Sequence, residues 1–230
     1  YDIDSFDYQR SSTYRTEWTC AMLGNKYRSQ LSDMFNTYYN LSFQRKPECM
    51  GFGALWTNDA HQREINADTE FSFTNYGEAE HRLAEYTRIS DMAERIMKQL
   101  PEQKRACFFE NVYYQVKGCE LMNRKMLYAQ RNREYATEHR AATDYWAKLS
   151  MQCYDSLETI THQYNTMLGG KWNHIVFIKQ QDSEAYYDKP ELRTAELSVA
   201  SDMALAVEGE DVVRGRSSYH QLPAFSRFVP

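Results

Sequence analysis

The side chains of this 230-residue chain that could do chemistry are few and scattered. Glu78-Ala79-Glu80-His81 contains Glu-x-x-His, the i, i+3 spacing with which carboxylate-rich helical bundles hold two metal ions. Such a centre needs a second copy on a facing helix. The residues three places before the other histidines are Asn58, Ala136, Thr159, Lys171 and Ser217, and none is Glu. No metal is expected, and Glu78 and His81 read as a solvated pair at a helix start. Asp2, Asp4, Asp7 and Glu17 gather carboxylates near the start of the sequence. Paired carboxylates can divide acid and base roles, but Asp-x-Asp ahead of a helix is more simply turn and cap chemistry. Cys20, Cys49, Cys107, Cys119 and Cys153 are odd in number and lack C-x-x-C spacing. They read as small buried hydrophobes, not as zinc ligands or a disulfide framework. Gly-x-Gly occurs only as Gly51-Phe52-Gly53, without the later Gly or Gly-Lys-Ser of a phosphate loop. No cofactor is expected.

The most unusual local string is Gly169-Gly170-Lys171-Trp172-Asn173-His174. Its plain reading is a helix stop followed by an aromatic anchor. Its functional reading is a loop that offers Trp172, Asn173 and His174 to a sugar or to a neighbouring domain, an indole to stack and an amide to hydrogen-bond. These three are the candidate substrate-binding residues.

Composition narrows the classes further. Lys and Arg number 27 and Asp and Glu 32, a net charge of −5. That excludes an ordinary nucleic-acid binder, whose affinity comes largely from a basic face on phosphates. A hydrophobic content of 42% supports a packed core. The longest apolar run, Ile175-Val176-Phe177-Ile178, is too short to cross a bilayer. The chain starts at Tyr1 with no signal-like segment and stops in an apolar Phe228-Val229-Pro230; a piece of a larger protein is the expectation.

The elements that must position these residues are helices. Between Pro47 and Pro190 the only proline is Pro101, and glycine is scarce until Gly169, as long helices require. Tyr27, Leu31, Met34, Tyr38 and Leu41 mark one stripe at spacings of 4 and 3; Leu83, Tyr86, Ile89, Ala93, Ile96 and Leu100 mark a second. Phe109, Val112, Val116, Cys119, Asn123 and Met126 mark a third, and Trp146, Leu149, Cys153, Leu157, Ile160, Tyr164 and Met167 a fourth. Each stripe is one face of a 3.6-residue helix. The third helix has another stripe, Tyr114, Leu121, Tyr128 and Tyr135, and a helix apolar on two faces belongs at the centre. A shorter helix is predicted over 12–23. Asn75 with Glu78 predicts a capping box, Pro101 the first turn of the third helix, and Gly169-Gly170 a left-handed C-cap. The 51–68 segment lacks a period and reads as a loop. The fold class is therefore mainly α, an antiparallel bundle of four to five helices over residues 1–185. After it, residues 186–230 read as linker and short strands.

Six strings, in order, carry a family resemblance. They are Arg45-Lys46-Pro47-Glu48; Asn75-Tyr76-Gly77-Glu78-Ala79-Glu80 after Asp68-Thr69-Glu70; Leu121-Met122-Asn123-Arg124; Ala129-Gln130-Arg131-Asn132-Arg133; the 169–174 string; and Val207-Glu208-Gly209. Together they resemble glycoside hydrolase family 115, the xylan α-1,2-glucuronidases. The similar region is the helical-bundle domain that follows the catalytic barrel, with the start of a C-terminal β-sandwich; the 51–68 loop and the 211–230 tail match least. The resemblance implies a metal-independent, exo-acting, inverting hydrolase that removes glucuronic acid or its 4-O-methyl ether from glucuronoxylan. Inversion requires two carboxyl groups roughly 6.5–9.5 Å apart, and the resemblance puts them on the barrel, so no catalytic residue is assigned to this chain. It also implies an upstream α/β barrel and a downstream β-sandwich as partners, a homodimeric parent, a secreted or periplasmic location, and an inactive fragment. A freestanding helical interaction module is the competing reading.

Overall fold

A computed structural model describes residues 11–50, 68–176 and 189–195, and the backbone of 204–205 and 213–214. Asp2, Asp4 and Asp7, Gly51-Phe52-Gly53 and Val207-Glu208-Gly209 lie outside the described residues. The chain divides into two compact units, Tyr1–Ala195 and Glu196–Pro230. In the second, strand β1 (Ala204–Leu205) pairs antiparallel with β2 (Val213–Arg214).

The first unit is a helical bundle. Its helices are α1 (Ser11–Leu23), α2 (Arg28–Gln44), α3 (Glu78–Gln99), α4 (Glu102–Phe108), α5 (Tyr114–Thr137) and α6 (Thr143–Gly170). A π-helical turn, Phe109–Tyr113, joins α4 to α5 without a break, giving one rod roughly 50 Å long. The apolar stripes do what their spacing dictates. Every residue from Leu83 to Leu100 in the second stripe is buried, as are Tyr27, Leu31, Met34 and Leu41 of the first.

Burial forms two clusters, and the rod serves both. α1, α2, the later turns of α3, Phe108, Val112 and Val116 make one. The first turns of α3, the middle of α5 and Cys153, Leu157 and Ile160 of α6 make the other, with Met50. Leu121 is buried there and Tyr114 and Tyr128 pack against it, so the second stripe of the rod has its own neighbours. The π turn sits within the stretch that serves both clusters, with Val112 and Val116 in the first and Tyr114 against the second. Adjacent Phe108 and Phe109 are both buried, one in the first cluster and the other against Tyr114 and Tyr164. A widened turn allows two consecutive side chains to face inward, and no periodicity in the sequence announced it.

Two boundaries differ from expectation. Asn75 does not cap α3. Tyr76 (φ 56°) and Gly77 (φ 59°) are both left-handed, so the helix starts two residues late, with Gly77 as its cap residue. Ser72 organises the turn ahead of the helix: its hydroxyl accepts from the Thr74 and Asn75 amides, its amide donates to Glu78 Oε2 at 3.1 Å, and its carbonyl accepts from the Ala79 amide at 3.0 Å. Pro101 precedes α4 as its cap residue, with Leu100 extended before it, as the Pro ring requires. The C-terminal break of α6 is as expected, with Leu168, Gly169 and Gly170 all at positive φ.

One buried charge ties the two halves together. Arg82 is 2% exposed. It donates to Asn123 Oδ1 at 2.7 Å and to the carbonyls of Leu41 and Arg45 at 2.9 and 2.7 Å. The last two lie at the end of α2, where Leu41 O also accepts from the Arg45 amide at 3.2 Å and a cation opposes the helix dipole. Phe71 and Tyr86 lie against the guanidinium. Burial lowers its pKa from the usual arginine value, and it pushes the Tyr86 hydroxyl up to about 12. Replacing Arg82 with Leu takes the donor from Asn123 Oδ1 and the Arg45 carbonyl and leaves Leu41 O with the Arg45 amide alone. We expect a loss of about 3 kcal/mol or more in urea unfolding. Arg82→Lys should recover only part of it, since an ammonium lacks the planar fork that spans the three oxygens.

Candidate functional site

α5 carries polar side chains at positions whose burial would suit apolar ones, and each captures backbone from an irregular segment. Gln130 Oε1 accepts from the Thr69 amide and hydroxyl at 2.8 and 2.7 Å. Asn132 donates to the carbonyls of Thr143 and Arg193, at 2.9 and 2.8 Å, and accepts from the Arg193 amide. Arg133 binds Asp68 through Nε at 2.9 Å and donates to the Glu191 carbonyl at 2.7 Å. Asn123 holds Arg82. The strings 121–124 and 129–133 thus act as a row of clamps. They fix residues 68–71 and 191–193 on the bundle, including part of the stretch that composition assigns to the linker.

The three candidate residues Trp172, Asn173 and His174 follow the broken end of α6. Trp172 is half-buried, its ring under Lys171 Nζ at 4.6 Å, and its Nε1 is buried without a hydrogen-bond partner among the described residues. Asn173 and His174 are exposed. The turn is closed by Asn173 N to Gly170 O at 3.0 Å and Ile175 N to Trp172 O at 3.1 Å. Asn165 of α6 then ties it down through Val176, donating to its carbonyl at 2.7 Å. The indole therefore anchors the turn, while the amide and imidazole face outward. The Glu-x-x-His pair is also placed: Glu78 accepts from Ser72. Among the described residues, no group of three or more His, Cys, Asp or Glu could hold a metal.

A third place was not legible in the sequence. A groove of about 600 Å³ runs along α3 between α5 and the start of α6. Glu80, Leu83, Ala84, Thr87, Arg88 and Asp91 form its α3 side; Arg124 and Tyr128, Trp146 and Phe73 form the rest. Its aromatic wall is braced from behind. Arg131 lies over Phe73 at 4.5 Å and Trp146 at 5.7 Å, and Tyr128 packs on Trp146 at 5.3 Å. Its charged floor is fixed as well. Arg124 reaches Glu120 at 2.9 Å, Thr87 at 2.8 Å and the Tyr128 hydroxyl at 2.8 Å. Arg88 is held by Asp33 at 2.6 Å and by Glu85. Four separated segments build the groove, so no single spacing could have shown it.

No protein-family profile matches the sequence, and no curated protein matches it. Among solved structures, a GH115 4-O-methyl-α-glucuronidase with specificity for decorated arabinogalactans superposes with a TM-score of 0.67 at 25% identity. The chain is similar, in sequence and in fold, to part of a GH115 glucuronidase. The match covers 85% of this chain and 24% of that one, so the chain spans about a quarter of that enzyme's length. The mainly helical fold agrees with the expectation drawn from the six strings.

Glu120 supplies a pH test of the groove floor. Burial alone would raise its pKa, but hydrogen bonds from Lys117 and Ser90, with the charges of Lys117 and Arg124, outweigh it and hold the carboxyl below its usual range. A depressed carboxylate stabilises the fold above its unfolded pKa of about 4.3 and loses that contribution as pH falls through the folded value. Urea midpoints of the wild type and Glu120→Gln should therefore differ most near neutral pH and converge toward acid; a gap that stays constant would contradict this account.

Proposed function

We propose that this chain is the non-catalytic helical domain of an inverting α-glucuronidase. The parent would remove glucuronic acid or its 4-O-methyl ether from a decorated polysaccharide, glucuronoxylan in the first instance. The observation that carries the reading is the extent of the match, most of this chain against a quarter of a glucuronidase. The neighbour's substrate is a decorated arabinogalactan, and a 4-O-methylglucuronosyl branch is the unit common to that specificity and to glucuronoxylan.

In this reading residues 1–185 are the bundle and 186–230 lead into a β-sandwich, with 189–195 strapped to α5. The bundle packs on an upstream catalytic barrel and supports dimerisation. Its exposed aromatics offer surface for that work: Tyr14 and Trp18 on α1, and Tyr39 and Phe43 on α2, with Phe43 93% exposed. Aromatic side chains are favoured at protein seams. Trp172, Asn173 and His174 keep their candidate role in substrate contact through the outward-facing pair. The buried carboxylate Glu120 is already neutralised by two cations, which suits architecture more than acid–base work.

The test compares the 230-residue chain with the intact polypeptide that contains it. The chain alone should release no 4-O-methylglucuronic acid from glucuronoxylan or arabinogalactan, and the intact polypeptide should release it from at least one. Release by the isolated chain, or an intact polypeptide silent on both, would overturn the proposal.

A further inference from the structure

We infer that the groove between α3, α5 and α6 binds a neutral oligosaccharide, as a non-catalytic sugar site. The choice of a polysaccharide as its source rests on the glucuronidase reading above; the groove's chemistry does not. Glu80 and Asp91 stand eleven residues apart on α3, so its α3 side is about 16 Å long at 1.5 Å per residue. That suits an extended chain of rings better than a single small molecule. Trp146 and Tyr128 supply apolar surface of the kind that accepts the C–H face of a pyranose. A few fixed polar groups beside an aromatic wall are the usual make-up of a ligand site.

Charge decides the class. Two carboxylates, Glu80 and Asp91, face two guanidiniums, Arg88 and Arg124, in the same lining. Arg88 is matched by Asp33 and Glu85, Arg124 by Glu120, and Glu80 by Arg131 at 3.8 Å, so the guanidiniums are already matched against a uronate, and Asp91 is little charge to draw a basic peptide. Its carboxylates are the groups that accept from sugar hydroxyls; the Thr87 hydroxyl between them is taken by the Leu83 carbonyl and Arg124. The two cations are pinned by Asp33, Glu85 and Glu120, and Glu80 Oε1 pairs with Arg131 at 3.8 Å, which leaves hydroxyl recognition to Asp91 and the second oxygen of Glu80. The ligand that fits is an undecorated stretch of backbone, held away from the uronic acid that the parent would cleave.

The site can be tested by calorimetric titration of the 230-residue chain with xylohexaose, with a neutral galacto-oligosaccharide, with glucuronic acid and with hexalysine. Saturable binding of a neutral oligosaccharide is expected, with xylohexaose and the galacto-oligosaccharide separating the two backbone sources. Ala84→Arg fills the groove from an exposed helical position and should abolish binding with helicity unchanged by circular dichroism. Asp91→Asn and Trp146→Ala should each weaken it, the latter by roughly tenfold. Absence of saturable binding to either neutral oligosaccharide would overturn the inference. So would binding that survives Ala84→Arg, or a preference for glucuronic acid or hexalysine. These outcomes are independent of hydrolysis by the intact polypeptide, so a groove without sugar and a parent without glucuronidase activity are told apart.

Discussion

The constraint on which the rest depends is the hydrogen-bonding demand of backbone that is neither helix nor sheet. The end of α2 with residues 45–50, and the segments at 68–77 and 189–195, lie against a helical bundle, and their amides and carbonyls need partners there. The bundle meets the demand with side chains. Arg82 completes the end of α2, Gln130 takes Thr69, and Asn132 and Arg133 take the 191–193 strap. A buried polar group costs free energy unless it is satisfied, so each of these residues and the loop it holds are stable only together. α5 is consequently specified by the loops as much as by its apolar faces, and the bundle presents fixed non-helical segments rather than free ones.

The fold was legible where burial follows a single period. The stripes of α2 and α3 and the double-faced rod could be counted, because a 3.6-residue repeat has one physical meaning when it persists over several turns. Asn123 was readable as a stripe member for the same reason. Arg82 was not, since a charged residue on a helix is ordinarily a solvated one, and only the carbonyls of Leu41 and Arg45 explain its burial. The capping box failed because Asn75-Tyr76-Gly77 can either start a helix or turn before one; the left-handed pair at 76 and 77 chose the turn.

The candidate site was legible only in part. Gly169-Gly170 correctly announced a helix stop, and Trp172 an anchor, but exposure of Asn173 and His174 depends on how Asn165 draws the turn back. The groove was invisible in the sequence. Trp146 and Tyr128 read as members of helix stripes and Glu80 as part of a helix start, while Phe73 and Asp91 carried no signal of their own. Proximity across the sequence turned those ordinary roles into a lining with two carboxylates, two guanidiniums and an aromatic wall.

The π turn at Phe109–Tyr113 has a mechanical meaning for the whole assembly. A rod with one extra residue wound into a single turn behaves like two screws cut with offset threads. The first thread meets α1 and α2 through Phe108; the second meets them again through Val116 before it goes on, from Leu121, to α6. Losing or gaining a single residue at that turn would rotate one set of neighbours around the axis relative to the other while leaving every contacting side chain chemically intact. The angle between the two ends of this bundle is thus encoded in a count of residues rather than in their identity.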